Sequence, residues 1–158
     1  MLTKLEFKNL TSNIQVTHYL DVKEYLNAVY KHIKKDLSKY SYHLFTEHLG
    51  MEQSSLSHLI ITGKRNISNS AAESMVKHLG LVKLNRRYFL KLVEMSRAKS
   101  EDERDNALSQ LIKLKAESAK SKLGKDALNF FVFIDRILST SSSVRRLLSL
   151  TATYELSS

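Results

Sequence analysis

The chain has no cysteine and no proline, and only four of its 158 residues are glycine. Without cysteine it can form neither a disulfide nor a thiolate metal site, which is compatible with an intracellular setting. Without proline the commonest helix breaker is missing, which favours long helices. None of the glycines lies in a phosphate-binding loop. Long apolar runs are lacking too. No segment approaches the roughly 20 apolar residues of a membrane span, and the opening MLTKLEFKNLTSN has no stretch of signal-peptide length. A cytoplasmic protein with no membrane partner is the expectation.

Catalytic equipment is equally sparse. The six histidines, His18, His32, His43, His48, His58 and His78, have no HExxH companions, and no pair has a convincing metal-ligand spacing. The acids at 101–105 suit a helix start better than acid/base work. The expectation is a protein that is not an enzyme, with no metal, no cofactor and no small-molecule ligand.

Present instead is an ordinary globular composition, 42% hydrophobic and 26% charged, in a chain long enough for one or two small domains. Its net charge of +9 is unevenly spread: residues 1–100 hold 16 Lys/Arg against 8 Asp/Glu, and residues 101–158 hold 9 against 8. The basic excess therefore belongs to the first part of the chain, as a polyanion-binding surface there requires.

In chain order, residues 1–17 are polar with sparse apolar positions and read as a loose N-terminal arm. Asp21 caps a helix to about Leu37, with Val22, Tyr25, Leu26, Val29, Ile33 and Leu37 as its apolar stripe. Lys31, Lys34 and Lys35 suit its C-terminal end and read as a solvated face. Ser41 caps a helix over 42–49 that ends at Gly50, and a second helix runs about 53–62 to Gly63. The basic loop GKRNISN follows. Ser68, Asn69 or Ser70 then caps a helix to about Leu79, with Ser70 and Glu73 fitting a capping box. Helices over about 85–98 and from Ser100 to about Lys122 complete the regular part. The apolar run 127–138 is a helix or a buried strand, which periodicity does not decide. A Ser/Thr-rich linker and VRRLLSL follow it.

Residues 42–61 are the centre of this arrangement. Phe45, Leu49, Met51, Leu56 and Leu59 can lock two short helices across the Gly50 turn, leaving Gln53, Ser54, Ser57 and His58 outward. Two plain core helices would make the same apolar pattern. The short turn, the uncharged start of the second helix and the cationic loop after it favour instead a helix-turn-helix for a DNA major groove. Gln53, Ser54, Ser57 and His58 are the expected base contacts, with the Gln53 amide suited to adenine. Tyr42, Lys64, Arg65 and Asn66 are the expected phosphate contacts.

The text LGMEQSSLSHLIITGKRNIS resembles the Cro/CI-type (Xre-like) helix-turn-helix, through Gly50, Gln53, Ser54, Leu56, Ser57, Gly63, Lys64, Arg65, Asn66, Ser68, Leu79, Gly80 and Leu81. The flanks YLDVKEYLNAVYKHIKK, SYHLFTEHLGM and YFLKLVEMSRAKSEDER are similar to an uncharacterised bacterial family in which this domain precedes a larger C-terminal domain of unknown function. The similarity spans roughly residues 18–118. It implies an all-α, five-helix lambda-repressor-like DNA-binding domain over 18–99, a long helix over 100–123, and a role in transcription regulation. It leaves 124–158 as an apolar tail, a truncated second domain in that frame. Thr46 departs from the small residue usual at its position, so its hydroxyl must bond back to a helix carbonyl and loosen the packing.

Double-stranded DNA is thus the expected partner. A homodimer is expected as well, since one recognition helix reads few base pairs; the helices after residue 85 offer its interface. The alternative function is a protein-binding adaptor, antitoxin-like or anti-repressor, docking a protein through the same helices.

Overall fold

Most of the described helix starts are written in side chains that take the first free amides. The computed structural model describes residues 2–120. Among these it holds seven α-helices and one 3-10 turn and no strand: α1 Lys4–Ser12, the 3-10 turn Val16–His18, α2 Val22–Asp36, α3 Tyr42–His48, α4 Leu56–Ile61, α5 Asn69–Leu79, α6 Lys83–Arg97 and α7 Glu101–Lys120. Asp21, Ser41 and Ser68 accept from the amides of Lys23, Leu44 and Ala71 at the starts of α2, α3 and α5. The Ser70–Glu73 capping box does not form. Ser68 takes the cap, and Glu73 pairs with Arg86 on α6 at 3.0 Å.

The expected loose arm is in fact α1. Thr3 and Glu6 form a full capping box, the Thr3 hydroxyl accepting from the Glu6 amide while the Glu6 carboxylate accepts from the Thr3 amide. That hydrogen bonding holds the Glu6 carboxyl below its ordinary range. Phe7 is buried, and Thr11 donates to the Lys8 carbonyl and reaches toward the Leu79 carbonyl at the end of α5. One large apolar residue per turn gives too little periodicity to mark a helix, yet one ring in the core suffices to anchor it.

The chain divides into two units, Met1–Leu111 and Ile112–Ser158. Of the second, only the continuation of α7 to residue 120 is described, so the expected helix or strand over 127–138 and the tail after it lie outside the described residues. The first unit is larger than the expected 18–99 domain, since α1 and the first half of α7 belong to it. Ala107 and Leu111 of α7 are buried.

The core of the first unit is aromatic as much as aliphatic. Tyr25 meets Phe89 edge-on at 6.0 Å and Tyr19 at 5.5 Å, and the Tyr88 hydroxyl donates to the Tyr19 carbonyl at 2.9 Å, tying α6 to the segment before α2. Tyr25 is fully buried, and its hydroxyl has no partner among the described residues. Burial, and secondarily Tyr19, raises its pKa. An orphaned hydroxyl costs free energy, so Tyr25→Phe is expected to leave stability unchanged or raise it by about 1 kcal/mol in urea unfolding. A loss would reveal a bond to this hydroxyl.

Candidate nucleic-acid interface

The α3–turn–α4 unit closes around Gly50. Its φ of 71° is left-handed, and behind it the Met51 amide bonds the Thr46 carbonyl while the Gly50 amide bonds the Glu47 carbonyl. That double closure is the Schellman ending of a helix. From outside, α5 clamps the turn: Ser74 Oγ donates to the Gly50 carbonyl at 2.9 Å and to that of Leu49 at 3.2 Å. His78 lies beside it, with Nδ1 2.8 Å from the Ser74 carbonyl.

Inside, α3 and α4 are joined by hydroxyls. Thr46 Oγ1 donates to the Tyr42 carbonyl at 2.8 Å, lies 2.6 Å from Ser57 Oγ, and accepts from the Ser57 amide at 3.3 Å. Ser57 Oγ also reaches the Tyr42 carbonyl at 2.9 Å. The expected back-bond from Thr46 is present, but it does not loosen the packing: Thr46 is fully buried and links the two helices. Ser57 accordingly is not an outward residue. It is 1% exposed and committed to this cluster, so it is removed from the base contacts. Thr46→Val keeps the shape but strips the Ser57 amide of its acceptor, and a loss of about 1–3 kcal/mol is expected in urea unfolding. No measurable loss would mean that the cluster is dispensable.

The second helix is shorter than its expected span of 53–62. It begins at Leu56, and Glu52, Gln53, Ser54 and Ser55 form the exposed turn before it. Ser57 and Ile60 are its buried face, while Leu56 and Leu59 are only half-buried. A hydroxyl with buried partners takes a position that apolar periodicity assigns to leucine.

Two pairs among the remaining expected residues touch, Gln53 with Arg65 and Tyr42 with His58, while Asn66 lines a groove with Asn69, Glu73 and Arg97. Gln53, Ser54, His58, Lys64, Arg65 and Asn66 are all exposed. The Arg65 guanidinium donates to Gln53 Oε1 at 3.0 Å, joining the turn before α4 to the loop after it. That loop folds back at Gly63, whose φ is 75°, and the amides of Lys64 and Arg65 both bond the Leu59 carbonyl. Tyr42 is half-buried between two rings, stacked on Tyr30 at 4.0 Å and edge-on to His58 at 4.9 Å. Burial, then Tyr30, raises the pKa of its hydroxyl despite Lys34 nearby, so near neutral pH it is an uncharged donor.

One residue went unread in the sequence. Lys23, in the first turn of α2, brings its Nζ to 3.3 Å from where a Cβ on Gly63 would stand. It adds a third cation beside Lys64 and Arg65, and only the packing of α2 on α4 puts it there. Lys34, by contrast, donates to the Tyr40 carbonyl at 3.0 Å and lies over the Tyr30 ring, a structural post rather than a free charge. Among the described residues no three His, Cys, Asp or Glu side chains gather as a metal site, and no helix is long and apolar enough to cross a membrane.

No protein-family model, curated protein or solved structure matches this chain.

Proposed function

We propose that this chain binds double-stranded DNA sequence-specifically, using α3, the Gly50 turn and α4 as a Cro/CI-type helix-turn-helix within a five-helix lambda-repressor-like domain. It acts as a homodimeric transcriptional regulator in the bacterial cytoplasm. The observation that carries this reading is the Arg65–Gln53 bond, because it sets an amide suited to base edges and a cationic loop side by side on one exposed surface. Gln53, Ser54 and His58 face the bases. Lys64, Arg65 and Asn66, with Lys23 and the neutral Tyr42 hydroxyl, face phosphates. Residues 42–61 contain no lysine or arginine, and Glu47 and Glu52 leave them at −2 with histidine neutral, so the positive charge of this surface lies at Lys23, Lys64 and Arg65 around the loop.

A protein-docking surface finds less support. The large apolar side chains exposed among the described residues are Leu5, Leu20, Leu37 and Val82, none of them within 42–66.

Selection of duplexes from a pool with a randomised core tests the proposal. The full chain should enrich one sequence family, and Lys64→Ala should weaken binding to every duplex alike. Recovery of no enriched sequence would refute specific DNA binding.

A further inference from the structure

We infer that Arg65 sets base preference as well as affinity, by fixing the orientation of the Gln53 carboxamide; this rests on the DNA-binding reading above. A carboxamide offers an acceptor on one arm and a donor on the other, and turning it over exchanges them. The two orientations therefore suit different base edges, because each base pair shows its own order of donors and acceptors in the major groove. A glutamine free to turn over discriminates poorly.

Gln53 is not free to do so. A guanidinium carries only donors, so the arm facing Arg65 at 3.0 Å is the carbonyl oxygen, and the amino group takes the other side. The oxygen keeps a second lone pair for a base, so the bond orients the amide without consuming it. Nor is Arg65 on a loose tether. Its own amide and that of Lys64 are held by the Leu59 carbonyl at 3.1 and 2.9 Å, just after the Gly63 turn. The link reaches across 12 residues, so the loop after α4 controls the side chain in front of it. Lys64, next in the chain, makes no side-chain hydrogen bond to a base-facing residue among the described residues. Two adjacent cations thus have different roles: Lys64 supplies charge, and Arg65 is a positioning residue that supplies charge and orientation.

The test measures the affinity of the full chain, at fixed salt, for the enriched duplex and its three single-base variants at the position read by Gln53. Fluorescence anisotropy is read for the wild type, Lys64→Ala, Gln53→Ala, Arg65→Ala and the Gln53/Arg65 double variant. All the substituted residues are exposed, and circular dichroism confirms that each variant is folded. The wild type should separate best from worst base by about 5–150-fold. Lys64→Ala should lower all four affinities together and keep that ratio. Gln53→Ala and Arg65→Ala should each collapse it to within about threefold, and the double variant should collapse it no further. The inference is overturned if Arg65→Ala keeps the wild-type ratio, which makes Arg65 a phosphate contact only. It is overturned equally if Arg65→Ala flattens the ratio as much without Gln53 as with it, which makes Arg65 itself the reader, or if Gln53→Ala changes no preference at any position. In those three outcomes the wild type still binds selectively and the DNA-binding reading stands. If the wild type prefers no duplex, both fall.

Discussion

Phe7→Ala is expected to lower the stability of the first unit by about 3–5 kcal/mol. The ring is 1% exposed, stacks on the His48 imidazole at 5.1 Å, and meets Phe45 of α3 at 6.3 Å. His48 in turn contacts Tyr40, its Nδ1 lying 2.8 Å from that hydroxyl, and its Nε2 lies 3.1 Å from the Leu2 carbonyl. A carbonyl only accepts, so Nε2 carries the proton, and in the neutral ring Nδ1 accepts from Tyr40. Removing Phe7 takes away the ring that packs against both His48 and Phe45 and releases α1 from α3. A domain of this size has only about 5–15 kcal/mol in all, so the variant should sit near its unfolding transition. In urea the midpoint should fall sharply with little change in slope. A shift worth less than about 1 kcal/mol would return residues 1–17 to the loose arm that their composition predicts.

Gly50→Ala should cost about 2–3 kcal/mol, from two sources that can be separated. A φ of 71° is left-handed, and a Cβ there costs roughly 1–2 kcal/mol. That Cβ would also stand 2.2 Å from His78 Cε1 and 2.5 Å from Ser74 Oγ. Both are side-chain atoms that can move, so the second cost is the bond of the Ser74 hydroxyl, whose single proton is shared between the Gly50 and Leu49 carbonyls, about 1 kcal/mol. Ser74→Ala alone should therefore cost about 1 kcal/mol, but adding it to Gly50→Ala should cost almost nothing further, because that bond is already lost, and should leave the backbone part. Urea unfolding of the two single variants and the double variant measures both. A double variant as stable as Ser74→Ala alone would mean that the left-handed backbone at Gly50 costs nothing.

What could be read from the sequence was whatever is local. Asp21 and Ser41 cap where their side chains say, and Gly50 and Gly63 turn the chain where no other residue does so cheaply. The helices over 22–36, 69–79 and 83–97 follow their apolar stripes. What could not be read depends on partners distant in the chain. Ser57 is a small polar residue that looks outward until Thr46 and the Tyr42 carbonyl supply it with buried partners. Lys23 is an unremarkable first-turn lysine until α2 lies against α4. The adenine preference first assigned to Gln53 treats that amide as isolated, whereas Arg65 holds one of its arms. In the candidate site, residue types were legible and their orientation was not.

A surface that grips phosphates through lysine and arginine loses affinity steeply as salt rises. In the proposed complex of a dimer with DNA, Lys23, Lys64 and Arg65 of each protomer would make about six phosphate contacts, and releasing their counterions would give a slope of log K against log salt near −5. Affinity of the full chain for its enriched duplex should thus drop about 1,000-fold between 50 and 200 mM salt. An affinity flat across that range, or no duplex binding at low salt, would contradict the assignment of this surface to DNA.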